Sequence, residues 1–412
     1  MRASWLGICV VDPWLRDYVG HDFNYVSSIS RAISSQGLEL KVLAARDCIP
    51  SIRQILPVEP IFRRLPMEGS TWNNRVARAF AGYASLASNY ARFSSDLAAA
   101  DLGGVNAHWI MFLENAHQFN LLAWGRWVRR YHPGSAPAFV VMLRYSYFDV
   151  RLQRWRKSGH LVRLALRTLE KASLVHRVRL VADSQELANQ YRSLTRLPVG
   201  LLPTPLTCDL PPQNQAPRSS PDGNLNVLLP GRPSFSKGIA TFATAIERLA
   251  NKRELSGLTF TLQDYQTFFR EPELARAIAA LRQLNLPGVH IVPKPLGEED
   301  YNRMMSDADV VVLPYFQEDY CTMVSGPFVE ALALGKPVVV TEGTWMSGQL
   351  ARFGAGTTVR DRDADDLARA ICAVRDNYRQ LAELAAARSG SWIAYHNPRN
   401  FVNELLKVAE GS

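Results

Sequence analysis

Short apolar runs bounded by turn residues, each followed by a segment of helical periodicity, recur along the whole chain. In the first half, "LGICVV" reads as a buried strand and "FNYVSSISRAISSQG" as a helix closing on Gly37. "ELKVLAA" and "PAFVVMLRY" repeat the strand pattern. The second half alternates more regularly: strand "LNVLLPG", helix "GIATFATAIERLA", strand "LTFTL", helix "ELARAIAALRQL", strand "GVHIVPK", helix "EEDYNRMMSDA", strand "DVVVLPY". Such alternation predicts an α/β protein with parallel sheets covered by helices on both faces. Two doubly wound, Rossmann-like domains are expected, facing a cleft at the carboxyl ends of their strands.

Length and composition agree with that division. The 412 residues, 47% apolar and 21% charged, are enough for two cores in an ordinary globular protein. From Pro203 to Asn224 the chain carries six prolines and little hydrophobicity, which predicts a linker. The expected parts are an N-terminal domain over 1–202, a linker over 203–224 and a second domain over 225–390. A C-terminal helix over 391–412 is expected to pack back on the N-terminal domain. Residues 1–200 hold 26 Lys/Arg against 14 Asp/Glu, whereas 201–412 hold 21 against 24, so the net charge of +9 belongs to the first half. No apolar run reaches the roughly 20 residues of a membrane span. Five cysteines without a C-x-x-C pair suit reduced thiols and a cytoplasmic location.

One stretch raises a chemical question. "SGPFVEALALGKPVVVTEG", residues 325–343, predicts a short helix entered through Ser325, Gly326 and Pro327 and stopped at Gly335 before the strand at Val338. That helix is apolar nearly all round, yet it carries Glu330. A carboxylate enclosed there costs several kcal/mol unless something bonds to it. It is either held by neighbouring protein groups or kept for ligand hydroxyls. In "LLPGRPSFSKGIATF" the strand ends at Pro230-Gly231, and Arg232 and Lys237 sit on the loop before a helix, an arrangement that suits a diphosphate. A solvated surface loop is the competing reading. Neither G-x-x-x-x-G-K-[ST] nor G-x-G-x-x-G is present in the required context.

The order "GRPSFSKG", "EEDYNRMMSDADVVVLPY", "SGPFVEALALGKPVVV" resembles the C-terminal domain of GT-B fold glycosyltransferases, most closely the retaining family 4 (glycosyl transferases group 1). The resemblance implies that the loop of Gly231, Arg232 and Lys237 holds the donor diphosphate, with Arg232 and Lys237 stabilising the leaving group. It implies that Glu330, the second glutamate of an E-x7-E motif, binds the donor ribose, and that Ser325 and Gly326 offer amides to the phosphates. It also implies metal-independent chemistry. The histidines form no H-x-H or H-E-x-x-H, and Asp307-Ala-Asp309 and Asp361-Arg-Asp363 fall at a strand start and in a charged turn. Two positions depart from the family pattern. Thr322 stands where the first glutamate of E-x7-E would contact the donor sugar, with Glu318 and Asp319 one turn earlier as substitutes. Arg144 stands where a histidine is common. Arg144 either binds an acidic substrate or pairs with Asp149, which becomes a candidate general base if the enzyme inverts. Gly20 and His21 lie at the first strand-to-helix turn as substrate candidates, and His108 and His117 are assigned to core or rim.

The basic segment 151–175, with seven Lys/Arg and the apolar set Leu152, Trp155, Val162, Leu166 and Leu169, reads as a surface for anionic lipid or as a helix packed on its own sheet. Nucleic acid is not expected, because no nucleic-acid module appears. The resulting expectation is a glycosyltransferase acting on a nucleoside diphosphate sugar and a glycan or lipid-linked acceptor, cytoplasmic or peripheral on the membrane's inner face. A nucleotide-sugar 2-epimerase of the same fold and a non-catalytic nucleotide-sugar-binding protein are the alternatives.

Overall fold

A computed structural model describes residues 5–18, 22–64, 75–149, 151–156, 159–208, 223–265 and 272–411. The chain divides into two compact units, Met1–Pro205 with Pro398–Ser412, and Leu206–Asn397.

Unit 1 opens with β1 (Gly7–Val11), α1 (Asp22–Ser35), β2 (Glu39–Ala45), α2 (Pro50–Ile55) and β3 (Val58–Phe62). There follow α3 (Arg75–Ala99), β4 (Trp109–Leu113), α4 (Gln118–Val128) and β5 (Ala138–Leu143). A small hairpin, β6 (Phe148–Asp149) and β7 (Arg154–Trp155), leads to α5 (Gly159–Ser173), β8 (Val178–Ala182), α6 (Gln185–Arg192) and β9 (Val199–Leu201). Seven strands make one parallel sheet in the order β3-β2-β1-β4-β5-β8-β9. Every residue of β1, β4 and β5 is buried, the signature of strands covered on both faces.

Unit 2 runs through β10 (Leu225–Leu229), α7 (Ile239–Asn251), β11 (Leu258–Gln263), α8 (Pro272–Gln283), β12 (Val289–Val292), α9 (Glu298–Asp307) and β13 (Val310–Leu313). It continues with α10 (Gln317–Tyr320), α11 (Gly326–Ala333), β14 (Val338–Thr341), α12 (Trp345–Phe353), β15 (Gly356–Val359), α13 (Ala364–Asp376) and α14 (Tyr378–His396). Its six-stranded sheet has the order β12-β11-β10-β13-β14-β15. In both units the strand order reverses beside the first strand, between β1 and β4 and between β10 and β13. In doubly wound sheets that reversal opens the crevice where ligands bind.

Two junctions differ from the composition-based reading. The stretch beginning at Pro203 is not wholly a linker: Leu206 is buried in unit 2 and its amide donates to the His396 carbonyl at 2.8 Å. Residues 209–222 lie outside the described part. The expected single helix over 391–412 is two helices. Residues 391–396 finish α14 in unit 2, Asn397 is extended (φ −72°, ψ 150°), and α15 (Pro398–Glu410) belongs to unit 1. Pro398 accounts for the break, since proline disfavours helical backbone in the residue before it and removes a donor. Phe401, Val402, Leu405 and Ala409 of α15 then enter the unit 1 core, with Phe401 edge-on to Tyr25 and Phe112.

Trp392 of α14 anchors the back of α11. It is 2% exposed, touches Phe328, Trp345 and Phe353, and donates Nε1–H to the Val329 carbonyl at 3.0 Å. Trp392→Ala should therefore destabilise the protein by about 3–5 kcal/mol, measured by chemical denaturation. A loss under about 1 kcal/mol would show that α11 is held mainly by other contacts.

Candidate active site

The densest chemistry of unit 2 lies at its sheet reversal. β10 ends at Leu229, and Gly231 turns the chain with φ +91°, its amide donating to Oε1 of Gln263 at the end of β11 (2.9 Å). A Cβ on Gly231 would lie 3.1 Å from the Lys237 ammonium. The loop tightens into one 3₁₀ turn, Phe235–Lys237, before Gly238 at φ +67° starts α7. A Cβ at Gly238 would fall 2.0 Å from the carbonyl oxygen of Pro314, so only glycine lets this loop lie against the exit of β13.

The Lys237 ammonium sits 5.8 Å from the ring centroid of Tyr315, and Arg232 is exposed nearby. Among the described residues neither cation pairs with a carboxylate. Enclosure by protein, helped by the Arg232 charge, lowers the Lys237 pKa to about 8. The arrangement is positive, partly dry and without an internal counterion, which suits a polyanion.

α11 begins one strand away. Ser325 caps it, its Oγ accepting from the Phe328 amide at 3.3 Å, and open space adjoins Gly326. Glu330, 6% exposed, is not left bare: Thr207 Oγ1 donates to Oε1 at 2.7 Å and the Tyr301 hydroxyl donates to Oε2 at 2.8 Å. Burial raises its pKa, and these two bonds pull it back. Neither Thr207 nor Tyr301 stood out in the sequence. Thr207 lies in proline-rich chain, and Tyr301 is one aromatic residue on a charged helix.

Thr322 is buried beyond α10. Glu318 does not take the place of the missing glutamate, because it forms an ion pair with Arg362, whose guanidinium stacks 4.0 Å from the Phe316 ring centroid. Asp309 is structural, accepting from the Asn226 amide and the Tyr378 hydroxyl, and Asp361 accepts from the Gln317 amide.

In unit 1 four successive sheet neighbours end in a charged residue: Asp12 after β1, Glu114 after β4, Arg144 after β5 and Asp183 after β8. The partner expected for Arg144 was Asp149. Instead its Nε donates to the Glu114 carbonyl (2.9 Å), its Nη2 to Glu114 Oε2 and its Nη1 to Asp183 Oδ2 (both 3.3 Å), with the guanidinium 4.8 Å from the Tyr25 ring centroid. Asp149 is turned into its own loop, accepting from the amides of Arg151 and Leu152. Carboxylate oxygens of Asp12, Asp22 and Glu114 lie within 4.8 Å of one another. Burial, then mutual repulsion, raises Asp12 well above the carboxylate range, and burial pushes Glu114 up to about 7. The Arg144 guanidinium is thus engaged by Glu114 and Asp183 and not by Asp149. The signal was available: Asp12 and Glu114 each directly follow a fully apolar strand, and Asp183 follows one interrupted only by Arg179. His117 is half-buried against Trp14, Phe119 and Tyr145, its enclosure lowers its pKa to about 4, and His108 is exposed. Gly20 and His21 lie outside the described residues.

Residues 224–377, within the second unit, match the family described as glycosyl transferases group 1. The chain's two parallel-sheet units have the GT-B fold. The sucrose-phosphate synthase of Thermosynechococcus elongatus is similar over 98% of both chains, with TM-score 0.66 and 17% identity. The Anabaena HepE structure in complex with UDP and glucose is similar over 99% of this chain and 100% of its own, with TM-score 0.63 and 14% identity. A UDP-N-acetylglucosamine 2-epimerase from Listeria monocytogenes, described as putative, is similar over 99% and 96%, with TM-score 0.60 and 11% identity. No curated protein matches the chain.

The low pKa of Lys237 gives a pH prediction. Its ammonium attracts a diphosphate only while protonated, so affinity for a nucleoside diphosphate should hold below about pH 8 and fall as pH rises through that value. Calorimetry between pH 6 and about 10 checks this. Affinity that is flat to pH 10, the range of an ordinary lysine, would contradict it.

Proposed function

We propose that this protein transfers a sugar from a nucleoside diphosphate sugar to a glycan or lipid-linked acceptor in the synthesis of a cell-surface polysaccharide or glycoconjugate. The observation that carries the reading is Lys237, largely enclosed beside Arg232 at the sheet reversal, with no carboxylate paired to it among the described residues. In this reading Arg232, Lys237 and the first amides of α11 neutralise the charge that grows on the departing diphosphate, and no metal ion is called on for that role. Glu330 accepts from the ribose hydroxyls. UDP-sugars are the first donors to screen, because HepE is similar and its structure holds UDP and glucose.

Lys237→Ala should lower turnover by a factor on the order of 100 or more while circular dichroism stays unchanged. Near-normal turnover would remove the diphosphate assignment. The 2-epimerase reading shares the same donor grip, and chromatography of the released sugar separates the two. A 2-epimer formed without acceptor would replace transfer by epimerisation.

A second reading concerns location, and α5 supports it. Val162, Leu166 and Leu169, expected as part of a lipid-facing set, are buried in the unit 1 core, because α5 packs on α4. A different stripe is exposed: His160, Leu164, Arg167, Lys171 and Leu174, followed by Val175, with Leu152 exposed nearby. Leucines and cations at helical spacing on one face suit the surface of an anionic bilayer, which would make the protein peripheral on the cytoplasmic leaflet. Among the described residues no helix is long and apolar enough to cross a membrane. Vesicles containing phosphatidylglycerol should sediment the protein, and added salt or neutralising Arg167 and Lys171 together should weaken this by about 1 kcal/mol per charge. Binding indifferent to both would assign α5 to plain solvent.

A further inference from the structure

Among the described residues the carboxylate of Glu330 has two hydroxyl donors and no cation. Thr207 Oγ1 takes one oxygen at 2.7 Å and the Tyr301 hydroxyl the other at 2.8 Å. The donors come from separate places, Thr207 from the first residues of unit 2 and Tyr301 from α9, and they approach opposite ends of one carboxylate. A carboxylate has about four acceptor directions. Two are therefore taken, which sets the plane of the group, and among the described residues no further donor bonds to the carboxylate. The surroundings supply little else that is polar. Trp392 donates to the Val329 carbonyl instead, and Tyr315 and Cys208 are the other titratable groups near this pair. Deletion of either hydroxyl would leave the carboxylate buried, less well bonded and free to rotate.

We infer that Thr207 and Tyr301 are positioning residues: their hydroxyls clamp the two oxygens of Glu330 so that its remaining acceptor directions meet a pair of ribose hydroxyls. The inference rests on the reading of Glu330 as a nucleotide-binding group. A pH consequence follows from the geometry. Burial favours the protonated acid, and each donated bond favours the carboxylate, so removing a donor shifts Glu330 further upward. Binding that needs the ionised form should then fail at a higher pH on the acid side.

The test is nucleotide affinity by calorimetry, using whichever of UDP, GDP and ADP binds the wild type most tightly, together with its 2′,3′-dideoxy analogue. Tyr301→Phe and Thr207→Val should each weaken binding about fivefold to tenfold, and Thr207→Ser should restore it. The loss should largely vanish with the dideoxy analogue and in a Glu330→Gln background, because the effect passes through one carboxylate to the ribose. In Tyr301→Phe the acid-side fall in affinity should move to higher pH. Equal losses with both nucleotides, or losses that persist in Glu330→Gln, would show that the two hydroxyls only support the fold and would overturn the inference. If Glu330→Gln alone leaves affinity unchanged, or none of the three nucleotides binds, the reading of Glu330 itself falls. If Tyr301→Phe unfolds, Thr207→Val with its Thr207→Ser rescue decides the question in the same way.

Discussion

An ammonium largely enclosed by protein, with no carboxylate paired to it among the described residues, is costly to keep, and the loop after β10 keeps one. Lys237 is held there by two glycines that no other residue could replace without strain. One brings the backbone to within a methyl group's reach of the ammonium, and the other lets the loop lie on the Pro314 carbonyl. With Arg232 nearby, the local potential is positive, and the lysine surrenders its proton at about 8 instead of its ordinary value. An unbalanced charge of this kind destabilises the empty protein and is relieved when an anion arrives. The sheet reversal, the glycines and the amides of α11 are all arranged around that imbalance.

The other enclosed charges are treated differently. Arg144 is surrounded by Glu114 and Asp183, so its guanidinium offers little to an incoming acid. Glu330 is satisfied by two neutral hydroxyls, which preserve its charge while fixing its orientation. The acidic group at the strand ends of unit 1, with Asp12 and Glu114 both raised toward neutrality, holds protons more readily than surface carboxylates do. Unit 2 thus presents positive charge and oriented amides, and unit 1 presents carboxylates and a guanidinium that is already paired.

The alternation of apolar runs and helical periods made the architecture legible, because the central strands are buried on both faces and need no long-range information to be recognised. Arg232, Lys237 and Glu330 were legible for a related reason: each is a polar residue placed where its local pattern demands an apolar or turn residue. What escaped were partners distant in sequence. Glu330 meets Thr207 across 123 positions, and Arg144 meets Glu114 and Asp183 across 30 and 39, whereas Asp149 was favoured only for being near. The helix break at Pro398 was visible in the chain and outweighed by the helical composition on either side. The buried Leu206 was hidden by the prolines around it.

We propose that Lys237, unpaired among the described residues, is the ammonium a donor diphosphate would neutralise, and its titration can be followed directly. With lysine labelled at the side-chain nitrogen, the Lys237 resonance, assigned by Lys237→Arg, should titrate near pH 8 in the free protein. Saturating nucleoside diphosphate should move that midpoint upward by a unit or more, since a bound anion favours the charged form. A midpoint near the ordinary lysine value of about 10.4, unchanged by the nucleotide, would contradict the account.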